Sequence, residues 1–301
     1  MKAARFSRFG APDVLEIVDI PKPHPGPGEV RISVRAAGIN ASDAKKRQGL
    51  MDAELPQTLG YEAAGVVDEI GAGVVDVRVG DRVFGASPYG AAQAEYAVLS
   101  SWAPIPSSVD FAEAAAIPVA AETAARALDQ LALAAGDTVF INGASGTVGS
   151  AAVQLAVLRS IRVIGSASAG AADLLRGWGA VPVAYGPGMW AALAAAAPDG
   201  VDAALDVAGN GVLPELVALT GSSDRVVTIA DFVGARETGV RFSSGDSGRA
   251  EYVLAEVAGL LAAGRFAIRV GQTLPLERIA DAHRMLESGA VRGKIVLAVS
   301  T

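Results

Sequence analysis

Residues 138–156, TVFINGASGTVGSAAVQLA, decide the fold of this chain of 301 residues. The stretch opens with the apolar run 139–141, which predicts a buried parallel strand. Gly143, Gly146 and Gly149 follow, and the chain then becomes rich in alanine and valine, which predicts a helix. Strand, glycine-rich turn and helix in this order form a variant of the dinucleotide-binding fingerprint, whose usual form is Gly-x-Gly-x-x-Gly. The alternative is a glycine-rich turn that holds no ligand, since glycine triplets recur widely.

Glycine suits this turn because it lets the main chain bend tightly and approach a pyrophosphate closely. The N–H groups at the start of the helix then face the anion, together with the positive end of the helix dipole. The residues predicted to bind the phosphates are Gly143, Ala144, Ser145, Gly146, Thr147 and Val148.

The end of the next predicted strand indicates which dinucleotide is bound. In the fingerprint, an acidic residue about 20 positions after the glycines binds the ribose 2′-hydroxyl. This chain has Ser166, Ala167 and Ser168 there, and its first acid, Asp173, comes later. Because no carboxylate repels a 2′-phosphate and small hydroxyls can bond to it, the sequence favours NADP(H) over NAD. The segment 166–172 has no Lys or Arg, so the remaining contact is assigned to one of three side chains: Arg162, Arg176 or Tyr185.

Composition excludes several classes of function. The chain has no cysteine, and its two histidines, His24 and His283, are far apart, so neither disulfides nor a zinc site is expected. The net charge of −7 argues against nucleic acid and anionic membranes as partners. No apolar stretch reaches the roughly 18 residues that a membrane span needs, and residues 1–9 do not resemble a signal peptide. We therefore expect a soluble, cytoplasmic protein without a metal.

The texture of the chain changes near residue 111. Before it, short runs with period-two apolar spacing, such as 30–36, alternate with turn residues and predict a small, partly closed β-barrel. Ser42 is the expected N-cap of a short basic helix over 43–48. After it, apolar strands alternate with alanine-rich helices, which predicts an α/β fold with a doubly wound parallel sheet. The predicted parallel strands are 138–141, 161–164, 181–183, 201–207 and 225–229.

Five motifs in order carry a family resemblance. They are GINASD at 38–43, LGYEAAGVV at 59–67, VGDRVFG at 79–85, GASGTVG at 143–149 and RGKIVL at 292–297. Together they resemble the zinc-independent quinone oxidoreductase branch of the medium-chain dehydrogenase/reductase superfamily. The zinc-bearing relatives have a Cys where Asn40 lies and a His where Tyr61 lies, which agrees with the expected absence of zinc.

The resemblance implies a GroES-like β-barrel catalytic domain of residues 1–117 and 265–301, and a Rossmann nucleotide-binding domain of residues 118–264. It implies NADPH-dependent reduction of quinones or of carbon–carbon double bonds conjugated to a carbonyl. It also implies a homodimer, formed by pairing the edge strands of the nucleotide-binding domains within residues 225–243. Two alternatives stay open: a non-catalytic NADP-binding sensor or structural protein, and a metal-free alcohol or carbonyl dehydrogenase.

Single residues are matched by the same resemblance. Asn40 corresponds to a residue near the nicotinamide, Thr123 to one on the cofactor-facing helix, and Tyr185 to a contact of the 2′-phosphate. The strand ends expected to flank the riboses are Val207, Ala208, Ile229 and Ala230. Two departures are that Lys45 stands where several relatives have a tyrosine, and that the usual lysine for the 2′-phosphate is absent.

Hydride addition to an enone or quinone leaves an oxyanion that needs a hydrogen-bond donor. The polar candidates are Asn40, Lys45 and Tyr61, and our hypothesis is that Asn40 orients the site while Lys45 or a water lies beside the carbonyl oxygen. Lys294 is a predicted cofactor contact. The alternatives are structural: Asn40 only caps a turn, Lys45 is solvated, Tyr61 packs at an edge, and Lys294 pairs with an acid.

Overall fold

The computed structural model describes residues 1–87, 89–245 and 248–300, and the chain divides into two compact units. Unit 1 consists of Met1–Val119 and Leu254–Thr301, and unit 2 of Ala120–Val253. The domain boundaries expected from the sequence were 117 and 265. The structure leaves unit 1 close to the first of these and returns to it earlier than the second.

The strands, in chain order, have the following bounds. They are β1 Lys2–Phe6, β2 Glu16–Asp19, β3 Val30–Ile39, β4 Gln57–Thr58, β5 Glu62–Ile70, β6 Arg82–Ala86, β7 Tyr96–Leu99, β8 Ser101–Pro104, β9 Thr138–Asn142, β10 Arg162–Ala167, β11 Val181–Ala184, β12 Ala203–Asp206, β13 Val226–Thr228, β14 Arg241–Phe242, β15 Val270–Pro275 and β16 Lys294–Ala298.

The α-helices follow the same order. They are α1 Ala41–Arg47, α2 Phe111–Ala115, α3 Pro118–Leu131, α4 Thr147–Leu158, α5 Ala172–Gly177, α6 Met189–Ala196, α7 Leu213–Thr220, α8 Phe232–Thr238, α9 Val253–Ala262 and α10 Ile279–Ser288. None of the helices in the described ranges is long and apolar enough to span a membrane.

Unit 2 contains a six-stranded sheet in the order β11-β10-β9-β12-β13-β14. Every strand pair in it is parallel. Numbered along the chain, the order is third, second, first, fourth, fifth, sixth, which is the doubly wound arrangement. This confirms the predicted α/β fold with a doubly wound sheet. The direction of winding reverses between β9 and β12, and ligands of such sheets bind at that point.

The glycine-rich segment lies at the centre of this sheet. All five residues of β9 are buried, as expected for a strand covered on both faces. Helix α4 is buried from Gly149 through Ala156, and its small side chains allow it to pack close to the sheet. The composition of 138–156 therefore results in a strand and a helix that together place the turn at the switch point of the sheet.

Unit 1 contains a seven-stranded sheet, ordered β15-β16-β3-β5-β6-β8 with β7 also paired to β3, and a smaller sheet of β2, β1 and β4. β16 pairs antiparallel with β3, so the C-terminal segment completes this sheet. The unpredicted β15 extends it by a parallel pairing with β16. The apolar core includes Ile32, Val34, Leu59, Leu99 and Leu297, each fully buried.

The start of α1 differs from the prediction. β3 continues to Ile39 rather than ending at 36, and Asn40 in extended conformation (φ −124°, ψ 161°) is the N-cap, not Ser42. The Asp43 carboxylate accepts the backbone N–H of Asn40 at 2.8 Å and so satisfies that donor. The helix accordingly begins at Ala41, directly after the strand.

Candidate functional site

The glycine turn in unit 2 has the geometry that its sequence predicts. Gly143 has φ +86°, a conformation that residues with a Cβ adopt rarely. A Cβ on Gly149 would lie 2.2 Å from the carbonyl oxygen of Gly143, so the close approach of helix and turn requires glycine there. Helix α4 begins at Thr147 with Gly146 as its N-cap. The first N–H groups of a helix have no intrahelical acceptor, and those of Thr147 and Val148 are therefore available to an anion.

A set of buried polar side chains joins the strand ends around this turn. We call it the strand-end network, consisting of Asn142, Ser166, Asp206 and Thr228. The Asn142 amide donates to Asp206 Oδ1 at 2.9 Å, and the Thr228 hydroxyl donates to Asp206 Oδ2 at 2.8 Å. The Ser166 hydroxyl donates to Asn142 Oδ1 at 2.9 Å and accepts the N–H of Gly143 at 2.8 Å. All four residues are buried, and they fix the ends of β9, β10, β12 and β13 relative to one another.

The same network positions the loops that follow two of these strands. The Asp206 carboxylate accepts the backbone N–H groups of Ala208 and Gly209. The Thr228 hydroxyl oxygen accepts those of Ala230 and Asp231. The predicted strand-end residues Val207, Ala208, Ile229 and Ala230 are thus held by contacts that involve Asp206 and Thr228, which the sequence did not single out.

The Ser166–Ser168 segment divides into an inner and an outer part. The Ser166 hydroxyl is buried and bonded within the protein, so it supports the glycine turn instead of facing a ligand. Ser168 lines a cavity of about 380 Å³ together with Ala167, Asp173 and Arg176. This cavity follows the end of β10, where the ribose of a bound dinucleotide is expected.

Of the three side chains considered for the 2′-phosphate, Arg176 lines this cavity. Its guanidinium donates to Asp173 Oδ1 at 2.7 Å, in an ion pair that is largely exposed. Arg162 instead donates to the carbonyl oxygen of Ala196. Tyr185 follows β11 and is 63% exposed. Within unit 2, Thr123 is partly exposed on α3, with its hydroxyl 3.4 Å from Glu122 Oε2.

A second polar cluster lies in unit 1, where β3 passes into α1. We call it the Asn40 cluster, consisting of Asn40, Asp43, Glu62 and Lys294. The Lys294 ammonium is 2.5 Å from both Asn40 Oδ1 and Glu62 Oε1. The Asn40 amide nitrogen donates to Glu62 Oε1 at 2.7 Å. Glu62 is fully buried and Lys294 is 3% exposed, so the ion pair is separated from bulk solvent.

The two carboxylates of this cluster are further bonded to the backbone. Glu62 Oε2 accepts the N–H of Val119 at 2.8 Å. Asp43 accepts the N–H groups of Asn40 and Gly60. Burial raises the pKa of Asp43 to about 6, against the lowering effect of those two hydrogen bonds. Asp43 is therefore a buried group that titrates near neutral pH.

The other predicted residues of unit 1 lie outside these contacts. Lys45 is exposed in the last turn of α1. The ring of Tyr61 is partly exposed, and its centroid is 5.4 Å from the Lys46 ammonium, which also pairs with Asp52 at 3.1 Å. Lys294 does pair with an acid, as its alternative interpretation had it. Glu62 was quoted within a motif but was not recognised as a site residue; a carboxylate in an otherwise apolar strand was the available signal.

Neither histidine lies in a cluster of metal-binding side chains. His24 contacts Glu69 at 2.9 Å, and His283 is fully buried with its Nδ1 3.3 Å from Arg47 Nε. Burial lowers the pKa of His283 to about 3, and the nearby Arg47 charge adds to this effect. In the ranges that the structure describes, no group of three or more His, Cys, Asp or Glu side chains is placed to hold a metal ion.

The doubly wound sheet with a glycine turn at its switch point defines the class of dinucleotide-binding α/β proteins. Comparison with known families narrows this class. Residues 26–118 match the alcohol dehydrogenase GroES-like domain, and residues 178–297 match the zinc-binding dehydrogenase family.

Relatives of known activity align with nearly the whole chain. The quinone oxidoreductase of Rattus norvegicus is 30% identical over 99% of this chain and 97% of its own length. The chloroplastic NADPH-dependent alkenal/one oxidoreductase of Arabidopsis thaliana is 32% identical over 99% of this chain and 79% of its own. The crystal structure of Escherichia coli quinone oxidoreductase complexed with NADPH superposes with a TM-score of 0.84 at 26% identity, covering 99% of this chain and 100% of that one. The chain belongs to the quinone oxidoreductase branch of the medium-chain dehydrogenase/reductase superfamily, and unit 1 contains the GroES-like domain that the motifs implied.

Proposed function

We propose that this protein is an NADPH-dependent oxidoreductase that reduces quinones or α,β-unsaturated carbonyl compounds by hydride transfer, without a metal ion. The observation that carries the proposal is the glycine turn at the sheet switch point, with a cavity beside it that Ser168 and Arg176 line. The relatives named above, a quinone oxidoreductase and an NADPH-dependent alkenal/one oxidoreductase, support the same reaction class.

At the phosphate end of the site, backbone groups bind the cofactor. The N–H groups of residues 144–148 and the start of α4 bind the pyrophosphate, because they combine free donors with a favourable helix dipole. Val207, Ala208, Ile229 and Ala230 flank the riboses. This geometry fits the cofactor, since a Cβ at Gly149 would fill the space that the close approach of turn and helix needs.

Selectivity for the 2′-phosphate comes from Ser168 and Arg176, with Tyr185 at the same strand edge. Asp173 shares the cavity with Arg176, and an exposed ion pair of this kind is worth little. The Arg176 guanidinium can therefore exchange the Asp173 carboxylate for a phosphate at small cost, and its positive charge takes the place of the lysine that the family usually has.

At the reacting end, bound NADPH supplies a hydride to the substrate carbon, and the substrate oxygen gains negative charge that a donor must stabilise. Asn40, matched by the family resemblance to a residue beside the nicotinamide, provides that donor or orients the site. Tyr61 contributes the second polar group of this site. Lys45, which is exposed, is proposed to approach the substrate oxygen directly or through a water.

Two further features stay predictions from the sequence and the family resemblance. The first is a homodimer formed through the edge of the unit 2 sheet, where β14 is the outermost strand and Phe232 and Val233 on α8 are exposed. Gel filtration with light scattering tests it, and a monomer at micromolar concentration contradicts it. The second is location in the cytoplasm.

The test of the proposed function is oxidation of NADPH and NADH, side by side, with 1,4-benzoquinone, 9,10-phenanthrenequinone and a simple enone. We expect turnover that strongly prefers NADPH. Preference for NADH would refute the assignment of Ser168 and Arg176 to a 2′-phosphate while leaving the reductase. Tight binding of NADPH without turnover of any acceptor would instead support the non-catalytic alternative.

A further inference from the structure

The orientation of the Asn40 amide is determined by two charged neighbours. Its carbonyl oxygen accepts a hydrogen bond from the Lys294 ammonium at 2.5 Å, and its amino group donates to the Glu62 carboxylate at 2.7 Å. A flip of the amide would place its amino group against the ammonium and its oxygen against the carboxylate. Both contacts would then be repulsive, so a single orientation is allowed.

The charged pair that sets this orientation is itself fixed. Glu62 is fully buried, and its other oxygen accepts the N–H of Val119. A Cβ on Gly38 would lie 2.4 Å from Glu62 Oε1, so the glycine in β3 leaves the space that the carboxylate occupies. The Asn40 backbone is also held, because its N–H donates to Asp43. The amide is thus constrained at its backbone and at both ends of its side chain.

An asparagine amide has two N–H donors, and Glu62 accepts one of them. Among the described residues no acceptor is found for the other. Asn40 is only partly buried, whereas Glu62 and Lys294 are almost fully enclosed. The second N–H is therefore the polar group of this cluster that remains available to a bound molecule, while the ion pair is not.

We propose that Glu62 and Lys294 are positioning residues, which hold the second N–H of Asn40 in the direction needed to donate to the substrate oxygen. This inference rests on the proposed function and adds to it the reason why a buried ion pair accompanies the asparagine. It also assigns Lys294 a role through Asn40 instead of direct contact with the cofactor. Charge-assisted hydrogen bonds suit this role because they are shorter and stronger than neutral ones.

The test is a double-mutant cycle on kcat for NADPH-dependent reduction of 1,4-benzoquinone. The pair is removed as Glu62→Gln with Lys294→Met, because the double change leaves no unpaired buried charge and so favours a folded protein. We expect this variant to lower kcat about tenfold with an unchanged Kd for NADPH, and to lower it less than about twofold when Asn40→Ala is already present. An equal loss in both backgrounds would show that the pair does not act through Asn40 and would overturn the proposal.

Lys22→Met is the matched control, because Lys22 is an exposed lysine of the same unit, 3.6 Å from the Tyr96 ring centroid. It should leave kcat unchanged. A second readout needs no turnover: the side-chain amide proton signals of Asn40 in a ¹⁵N-labelled protein, assigned with Asn40→Ala. We expect two well-separated signals that move together in the Glu62→Gln, Lys294→Met variant, whereas unchanged signals would overturn the proposal. If the wild-type protein turns over no acceptor, the proposed function fails while this second readout still decides the positioning.

Discussion

The two polar clusters both contain a fully buried acid, but they satisfy it differently. In the strand-end network, Asp206 receives hydrogen bonds from an amide, a hydroxyl and two backbone N–H groups, all of them neutral. In the Asn40 cluster, Glu62 faces the Lys294 ammonium, and a second buried acid, Asp43, lies beside the pair.

This difference teaches what each region is built to do. Neutral donors spread over four strand ends hold a loop geometry, which suits a site where backbone N–H groups bind phosphates. A buried ion pair has large opposing contributions, and removing one partner leaves an uncompensated charge. Such a pair adds little net stability, and its presence is better explained by the orientation that it imposes on Asn40.

The largest effect is expected from breaking the ion pair alone. Glu62→Gln leaves the Lys294 ammonium buried without a counter-charge, and we expect a loss of about 3–5 kcal/mol in the free energy of unfolding. Urea denaturation measures it. Adding Lys294→Met should restore most of the loss, and a double variant as unstable as the single one would contradict the ion-pair account.

The next effect is a pH dependence within the Asn40 cluster. The folded-state pKa of Asp43, about 6, lies above its ordinary value of 3.8, so folding favours the protonated form. The stability from this group is complete below about pH 4 and is lost as pH rises through 6, an effect of about 3 kcal/mol. We expect the difference in unfolding free energy between wild type and Asp43→Asn to change by this amount between pH 4 and 7. Parallel curves for the two proteins would rule it out.

A smaller loss is expected on the neutral side of the comparison. Asp206→Asn replaces one acceptor oxygen by an amino group and leaves buried donors without partners, at a cost of about 2 kcal/mol. The measurement is again urea denaturation, combined with the Kd for NADPH, which should rise because the loops at Ala208 and Ala230 lose support. A Glu62→Gln loss smaller than the Asp206→Asn loss would reverse the comparison.

The smallest effect concerns cofactor choice. Arg176→Ala should weaken NADPH binding about tenfold, which corresponds to about 1.4 kcal/mol, and should leave NADH binding unchanged. Titration of cofactor fluorescence measures both constants. Arg236→Ala, which removes an exposed arginine of the same unit, is the control and should change neither. Equal weakening of both nucleotides would move the 2′-phosphate contact away from Arg176.

The sequence predicted the fold of unit 2 well because buried parallel strands and glycine turns leave local patterns. It missed β14, which has two residues and too short a run to show periodicity. It also placed the N-cap of α1 at Ser42, because local preference cannot reveal that β3 runs on to Ile39.

The polar clusters were only partly predictable for a different reason. Asn40, Glu62 and Lys294 are far apart in sequence, and no local pattern joins them. Asn142, Asp206 and Thr228 likewise meet only because β9, β12 and β13 are neighbours in the sheet. What the sequence does show is a polar residue within or at the end of an apolar strand, and that signal marks Glu62, Asp206, Thr228 and Lys294 alike.

The central claim is that the strand-end network binds the cofactor while the Asn40 cluster supports the reaction. The most direct test is Asn40→Ala, with kcat for 1,4-benzoquinone reduction and the Kd for NADPH measured on the same preparation. The claim predicts a fall in kcat of about 10² to 10³ with the Kd for NADPH unchanged within about twofold. An unchanged kcat, or a loss that lies entirely in NADPH binding, would contradict it.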